Sequence, residues 1–242
     1  MTAAPETLTV SRLLARVASA VTAAFPGPVW VRGEVSGFRR TSGGAAFFRL
    51  ADPESDREVL DVAARGRVMA DIDHKLASAG VGRLQDGVEV LVKGTVGVQA
   101  TRSQVRLLLL DVDTEFIAGR LAVNREEVLR RLAADGSLAA NRKLPLPLVP
   151  LRIGLLTSRG SAAHADFLDQ LHRSGFRFRV LTTQAVMQGE KARDSVVAAL
   201  GRLADEQLDM VAVVRGGGSK LDLAAFDAEE VGRAVAGMPV PV

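Results

Sequence analysis

The sequence predicts two domains: a small β-barrel with one inserted helix, then an incomplete α/β domain built on a parallel sheet. Three observations predict it. Between residues 29 and 113, short runs alternate apolar and polar with period two, interrupted once by a stretch of helical period. From residue 151 onward, strand-like and helix-like stretches alternate. Between the two regions lies a proline-rich connector, "NRKLPLPLVP" at 141–150.

In chain order, "TVSRLLARVASAVTAAF" (9–25) sets Leu13, Leu14, Val17 and Val21 at helical spacing, with Thr9 or Ser11 to cap it and "PGP" to end it. In "VWVRGEVSGF" (29–38), Val29, Val31 and Val35 point one way; Trp30, Arg32, Glu34, Ser36 and Phe38 point the other. "TSGG" turns the chain into "AAFFRLAD" (45–52), and "REVLDVAAR" (57–65) follows as a third strand. "RVMADIDHKLASAG" (67–80) repeats Val68, Ile72 and Leu76 at intervals of four and reads as a helix. "GVEVLVKGTVGVQ" (87–99) and "QVRLLLLDVD" (104–113) complete five strands. Three strands, a helix and two strands is the order of an OB-fold, and the helix between strands three and four is its specific mark.

"REEVLRRLAADG" (125–136) reads as a helix ending at Gly136. With a second short helical stretch and the connector, it links the barrel to the remainder. That remainder reads as strands at 151–158, 176–183 and 208–214, with helices at 161–174, 190–206 and 222–237. Such alternation demands parallel strands joined by helical crossovers. "MPVPV" opens a fourth strand where the sequence stops, which is expected of an interrupted domain. The expected boundaries are 1–118 for the barrel with its N-terminal helix, 119–150 for the connector and 151–242 for the partial α/β domain.

Composition narrows the function. A chain that is 48% hydrophobic and 24% charged is ordinary for a soluble globular protein. With no cysteine, disulfides, thiolate metal sites and a cysteine nucleophile are all excluded, and a reducing cytoplasm is the expected location. No apolar run approaches the roughly 20 residues of a membrane span, so no membrane partner is expected. The net charge of +3 is too small to hold nucleic acid by itself, so phosphate binding must come from local patches.

Two such patches are readable. In an open parallel sheet, ligands bind beyond the carboxyl ends of the strands. Those ends deliver Thr157, Ser158, Arg159, Gly160 and Ser161, with Asp166 in the next helix; then Thr182, Thr183 and Gln184; then Arg215, Gly216, Gly217, Gly218 and Ser219. The expected phosphate-binding loop is Gly216, Gly217, Gly218 and Ser219 with Ser158, because glycine lets backbone N–H groups approach an anion. Arg215 offers a planar cation to a phosphoryl group gaining charge, and Asp166 is placed to activate water or hold a metal. The plainer alternative is an ordinary glycine-rich turn, with Asp166 a solvated or capping carboxylate. His74, His164 and His172 read as surface residues without metal-ligand spacing, and Ser158 and Ser161 as caps rather than nucleophiles.

On the barrel, Trp30, Arg32 and Phe38 share one face, Phe47 and Arg49 share another, and Arg39 and Arg40 flank the turn. Rings that stack on bases beside cations that track the backbone are how single-stranded nucleic acid is held. The alternative is that Trp30 and Phe38 pack against the first helix or the second domain. Arg102 and Arg106 read as ordinary surface charges.

Taken together, "VWVRGEVSGF", "EEVLRRLAADGSL", "RKLPLPLVPLRIGLLTS" and "VVRGGGSKLDLAAF" resemble the large subunit of exodeoxyribonuclease VII, from about residue 8 onward. The resemblance implies a nuclease that degrades single-stranded DNA from either end to oligonucleotides, with the OB-fold gripping the strand. It implies catalytic roles for Asp166 and Arg215 and matches Asp222 to the acid of the family's "GGGS…DL" pattern. It implies a small-subunit partner, whose binding helices would lie beyond residue 242. No cofactor is assigned, magnesium being the one metal held open. Three departures stand out. Leu221 replaces a usual glutamate, Ser161 stands where the family has glycine, and the family's Gly-His-Glu-x-Asp motif would follow Val240 and is absent. The chain as given is therefore expected to bind DNA better than it cuts it. Two other readings stay open: a non-catalytic single-strand-binding protein, and a nucleotide-binding α/β protein with an appended barrel.

Overall fold

The computed structural model describes residues 6–99, 101, 103–189 and 191–242. The chain divides into two compact units, residues 1–118 and 119–242. In the first, β1 (Val29–Arg40), β2 (Ala46–Asp52), β3 (Ser55–Ala64), β4 (Glu89–Gln99) and β5 (Gln104–Val112) close into a barrel in the order β1-β2-β3-β5-β4. Every pairing is antiparallel except β3 with β5. Between β3 and β4 runs α2 (Gly66–Ser78), which buries Met69, Ile72 and Leu76. This is the OB-fold that the sequence predicts.

Alternation decides what the barrel shows to solvent. Val35, Phe48, Leu50, Val62, Val90, Val92, Leu107 and Leu109 fill the core. Their neighbours in sequence face outward. One bulge breaks the rule. Along β1 the partners are Val35 with Leu50 and Ser36 with Arg49, but then Arg39 with Phe47. The extra residue is absorbed at Gly37, whose φ of 64° is a left-handed conformation that side chains disfavour. Side chains beyond Gly37 therefore swap faces.

Ahead of the barrel, α1 (Val10–Ala24) is capped by the Thr9 hydroxyl, which accepts from the Arg12 N–H at 3.4 Å. It rests on β4, yet none of its residues is fully buried.

The predicted helix at 125–136 proves to be part of a 21-residue helix, α3 (Thr114–Ala134). Asp113 starts it by accepting from the Phe116 N–H at 2.9 Å. After α4 (Ser137–Ala140) come β6 (Arg152–Thr157), α5 (Ala162–Arg173), β7 (Arg179–Gln184), α6 (Ala192–Ala204) and β8 (Met210–Val213). The strands form a parallel sheet in the order β7-β6-β8. Leu156, Val196, Leu200, Leu203 and Val211 lie at its core.

The single helix expected at 222–237 is in fact two, α7 (Lys220–Ala224) and α8 (Glu229–Ala236), joined by a 3-10 turn. Ala228 is extended at the break, with φ −66° and ψ 140°. Past α8, the Pro241 carbonyl accepts from the Val211 N–H of β8 at 2.8 Å. On the other side, the Asn141 amide donates to the Val240 carbonyl at 3.0 Å and accepts from the Val242 N–H at 2.9 Å. One side-chain amide thus takes the place of a neighbouring strand.

Ion pairs tie α8 to α3. Arg131 bonds Glu127 within α3 and reaches Glu229 at 3.1 Å, while Arg233 reaches Glu229 at 2.8 Å and Asp135 at 2.7 Å. Hydrogen bonds from Ser137, then from Arg233, hold the Asp135 carboxyl at about 2, below its ordinary 3.8. Because the folded value is the lower one, the stabilisation is complete above about 3.8 and vanishes as pH falls to about 2. Thermal midpoints of the wild type and Asp135→Asn should therefore differ at neutral pH and converge across that acid window. A difference that ignores pH would refute the account.

Candidate nucleic-acid interface

The barrel wall carries the first set of candidate residues. Trp30 is 47% exposed and does not pack away. Its cross-strand partner is Lys93, whose Nζ lies 5.8 Å from the ring centroid. Phe47 is exposed, and the Arg106 guanidinium lies 6.0 Å from its ring. Arg39 pairs across to Phe47, and Arg49 to Ser36 and Asp61. Trp30, Arg39, Phe47 and Arg49 thus stand on the outer wall.

One expectation needs correction, and two of the cations prove to be paired. Phe38 does not share Trp30's face: the Gly37 bulge turns it toward the core side, its ring 5.7 Å from that of buried Phe48. Arg32 is bound to Glu89, a contact that raises its pKa further above the usual arginine value. Arg40 is held by Asp73 of α2 at 2.5 Å and lies over the Phe38 ring. Arg39 and Arg49 form no ion pair among the described residues. Lys93 and Arg106 were missed as ring partners. The outward parity of β4 and β5 carried that signal, but only pairing register says which rings they meet. Arg102 lies outside the described residues.

The second set gathers at the carboxyl end of the parallel sheet. Thr157, Ser158, Ser161, Gln184, Arg215 and Gly216, with residues 185–188, line a cleft of about 360 Å³. Among the described residues that line it, there is one cation and no carboxylate. Ser161 caps α5, its hydroxyl accepting from the His164 N–H at 3.1 Å. Thr157 is fully buried, and its Oγ1 has no hydrogen-bond partner among the described residues. An unsatisfied buried hydroxyl costs about 1–3 kcal/mol. His164 is half-buried rather than a surface residue: the Gly160 N–H donates to Nδ1 at 3.4 Å, and Nε2 is shielded with no partner among the described residues.

The glycine loop is organised by Arg215 itself. Nε donates to the Gly216 carbonyl at 2.7 Å, Nη2 to the Gly217 carbonyl at 2.8 Å and Nη1 to the Asp222 carbonyl at 3.0 Å. A Cβ on Gly218 would sit 2.0 Å from Arg215 Nη2, whereas at Gly216 and Gly217 it would meet nothing within 4 Å. Gly218 is thus required by the arginine folded over it. Ser219 is a cap: it forms a capping box with Asp222, whose Oδ2 accepts from the Ser219 N–H at 3.0 Å and hydroxyl at 2.8 Å. The loop expected to cradle phosphate through Gly217, Gly218 and Ser219 is bonded mainly to itself. Ser158, Arg215 and Gly216 do reach the cleft. Asp166 is exposed on α5, one turn beyond Ala162, and is not among the cleft's lining residues.

Magnesium finds no ligand set: the described residues bring together no group of three or more His, Asp or Glu suited to a metal. Among the described residues, no helix is long and apolar enough to cross a membrane.

The arrangement of Arg215 has a direct consequence. Gly218→Ala has no left-handed backbone to strain, so its effect is to expel the guanidinium. Gly218→Ala and Arg215→Ala should each lower the unfolding free energy by about 1 kcal/mol, and the double variant by about the same. Additive losses in urea titrations would contradict the contact.

A closed five-stranded barrel with ring–cation pairs outside, followed by a parallel-sheet unit with a cationic rim cleft, defines a class: an OB-fold nucleic-acid-binding domain joined to an α/β unit. Residues 8–113 match the OB-fold nucleic acid binding domain family, and residues 137–242 match the family described as exonuclease VII, large subunit. The α/β unit of this chain therefore belongs to the exonuclease VII large-subunit family. The chain is 35% identical over 217 residues to the exodeoxyribonuclease 7 large subunit of Moorella thermoacetica, covering 88% of this chain and 50% of that protein. It is 33% identical over 238 residues to that of Pseudomonas aeruginosa PAO1, covering 98% and 49%. The chain thus spans about half the length of these relatives. Among solved structures, the mitochondrial single-stranded DNA binding protein Rim1 of S. cerevisiae is similar over 37% of this chain and 93% of its own, at 12% identity and a TM-score of 0.28, too remote to argue from.

Proposed function

We propose that this chain is the strand-holding part and a portion of the catalytic part of an exodeoxyribonuclease VII large subunit, a nuclease that acts on single-stranded DNA from its ends. The observation that carries the proposal is the outer barrel wall, where Trp30 and Phe47 each stand beside a cation in exposed positions. Exposed rings offer stacking faces to any base, and adjacent cations meet the backbone that joins them. The family match of residues 137–242 supports the nuclease assignment.

In the hydrolytic step, a water oxygen bonds to phosphorus while the bond from phosphorus to the leaving sugar oxygen breaks. Asp166, on α5 and outside the cleft lining, is the residue the resemblance assigns to take the water's proton, and the leaving oxygen is protonated from solvent. Arg215 has one N–H left on each terminal nitrogen to meet the charge gathering on the phosphoryl oxygens. The small subunit is the partner in this proposal, in the cytoplasm.

Trp30 is the one tryptophan, so its fluorescence reports binding. The chain should bind single-stranded DNA in preference to duplex, with an affinity that falls steeply with salt. Trp30→Ala and Phe47→Ala should each cost about 1–3 kcal/mol of binding. Phe38→Ala should instead lower fold stability by about 2 kcal/mol and leave affinity nearly intact. Equal affinity for both DNA forms would reject the proposal.

A non-catalytic single-strand-binding protein is the second reading. It is favoured by Asp166 standing outside the cleft and by Arg215 being engaged with backbone carbonyls. Cleavage decides between them. Where hydrolysis of single-stranded DNA is measured at saturating DNA, Arg215→Ala should slow it by about 10²–10³-fold. Undiminished cleavage would favour a chemical role elsewhere.

A further inference from the structure

Thr157 carries a group that neither its own element nor its neighbours explain. It is the last residue of β6, fully buried, and its carbonyl is used by the Ala185 N–H at 3.0 Å. Its hydroxyl has no partner among the described residues, yet the residue lines the rim cleft. Interiors rarely keep such a group without a use for it. Valine has the same shape and would fill the position without a polar atom to satisfy.

The surroundings say what would satisfy it. Behind Thr157 the chain turns through Ser158 into α5, a 12-residue helix. The first-turn N–H groups of Ala162 and Ala163 have no intrahelical acceptor, and the helix end carries partial positive charge. Arg215 lines the same cleft with its two remaining N–H groups, Gln184 and Gln188 add amides, and no acid is among the described residues that line it. Among the described lining residues, donors and positive charge come from β6, the turn that leads into α5 and the Arg215 loop, with no carboxylate among them. That is a seat for an anion with several oxygens.

We infer that the turn from β6 into α5, rather than the glycine loop, is where this chain seats a phosphate group of the nucleic-acid strand, with Thr157 Oγ1 donating to one phosphate oxygen. The inference rests on the proposed function for the source of the phosphate; the cleft's preference for the anion stands on its own geometry. Thr157 is thus a binding residue at the reaction centre, in addition to Arg215.

The test uses the whole chain and inorganic phosphate as the probe. Amide NMR shifts of Ala162 and Ala163 are followed during titration, and urea midpoints are measured without phosphate. The wild type should show saturable shifts. Thr157→Val should bind phosphate about tenfold or more weakly, as loss of a hydrogen bond to a charged group implies. Thr157→Ser should recover most of the affinity. In phosphate-free buffer Thr157→Val should be as stable as the wild type or more so, because an unsatisfied hydroxyl is gone. No saturable shift in the wild type, or unchanged affinity in Thr157→Val, would overturn the inference. So would a clear loss of stability in Thr157→Val, since the hydroxyl would then be serving the fold. DNA binding followed at Trp30 is read separately. Its failure beside an intact phosphate response would reject the proposed function and leave the phosphate seat standing.

Discussion

The guanidinium of Arg215 lies across its own loop and bonds three backbone carbonyls, and the geometry of the sheet rim follows from that contact. Three carbonyls that a tight loop would otherwise leave to solvent are satisfied by one planar group. The same contact removes space for a Cβ at Gly218. The Ser219–Asp222 capping box closes the far end of the loop, so the segment is held at both ends by its own side chains. A cation so placed cannot swing freely toward a ligand. It presents fixed donors, and a preorganised donor is worth more to a developing charge than one that must first be ordered.

The barrel shows a different economy of charge. Arg32 and Arg40 spend their charge on Glu89 and Asp73, leaving Arg39 and Arg49 beside Phe47. Lys93 and Arg106 lie against rings rather than acids. An exposed ring–cation pair is worth only about 0.5–1 kcal/mol to the fold. Its components therefore remain available to rearrange around a base and a phosphate. The single bulge at Gly37 decides which aromatic residue is structural and which is presented outward.

Much of this was legible in the residues. Period-two alternation from Val29 to Val35 and from Phe47 to Leu50 gave the two faces of β1 and β2, because a strand's side chains have no third direction to take. Strand–helix alternation after residue 151 gave the parallel sheet and its ligand edge for similar reasons. What escaped the sequence was whatever depended on a single backbone angle or on distant partners. Gly37 looks like any turn glycine until its φ is known, and Phe38 changes sides with it. Ala228 lies inside a smooth helical pattern, and nothing local marks it as the break. The acids that neutralise Arg32 and Arg40 lie 57 and 33 residues further along the chain. Gly218 was read as room for a phosphate, when its room is taken by the preceding arginine.

The amide of Asn141 grips backbone about a hundred residues downstream, and that separation has a consequence in time. A ribosome adding roughly 5–20 residues each second delivers Val240 and Val242 some 5–20 seconds after Asn141 emerges. Through that interval the barrel, whose last strand ends at Val112, has every residue it needs to fold, while the sheet beyond it lacks the segment that closes over β8. The nascent chain can thus form the ring-bearing wall of its barrel well before the sheet of its second unit is complete.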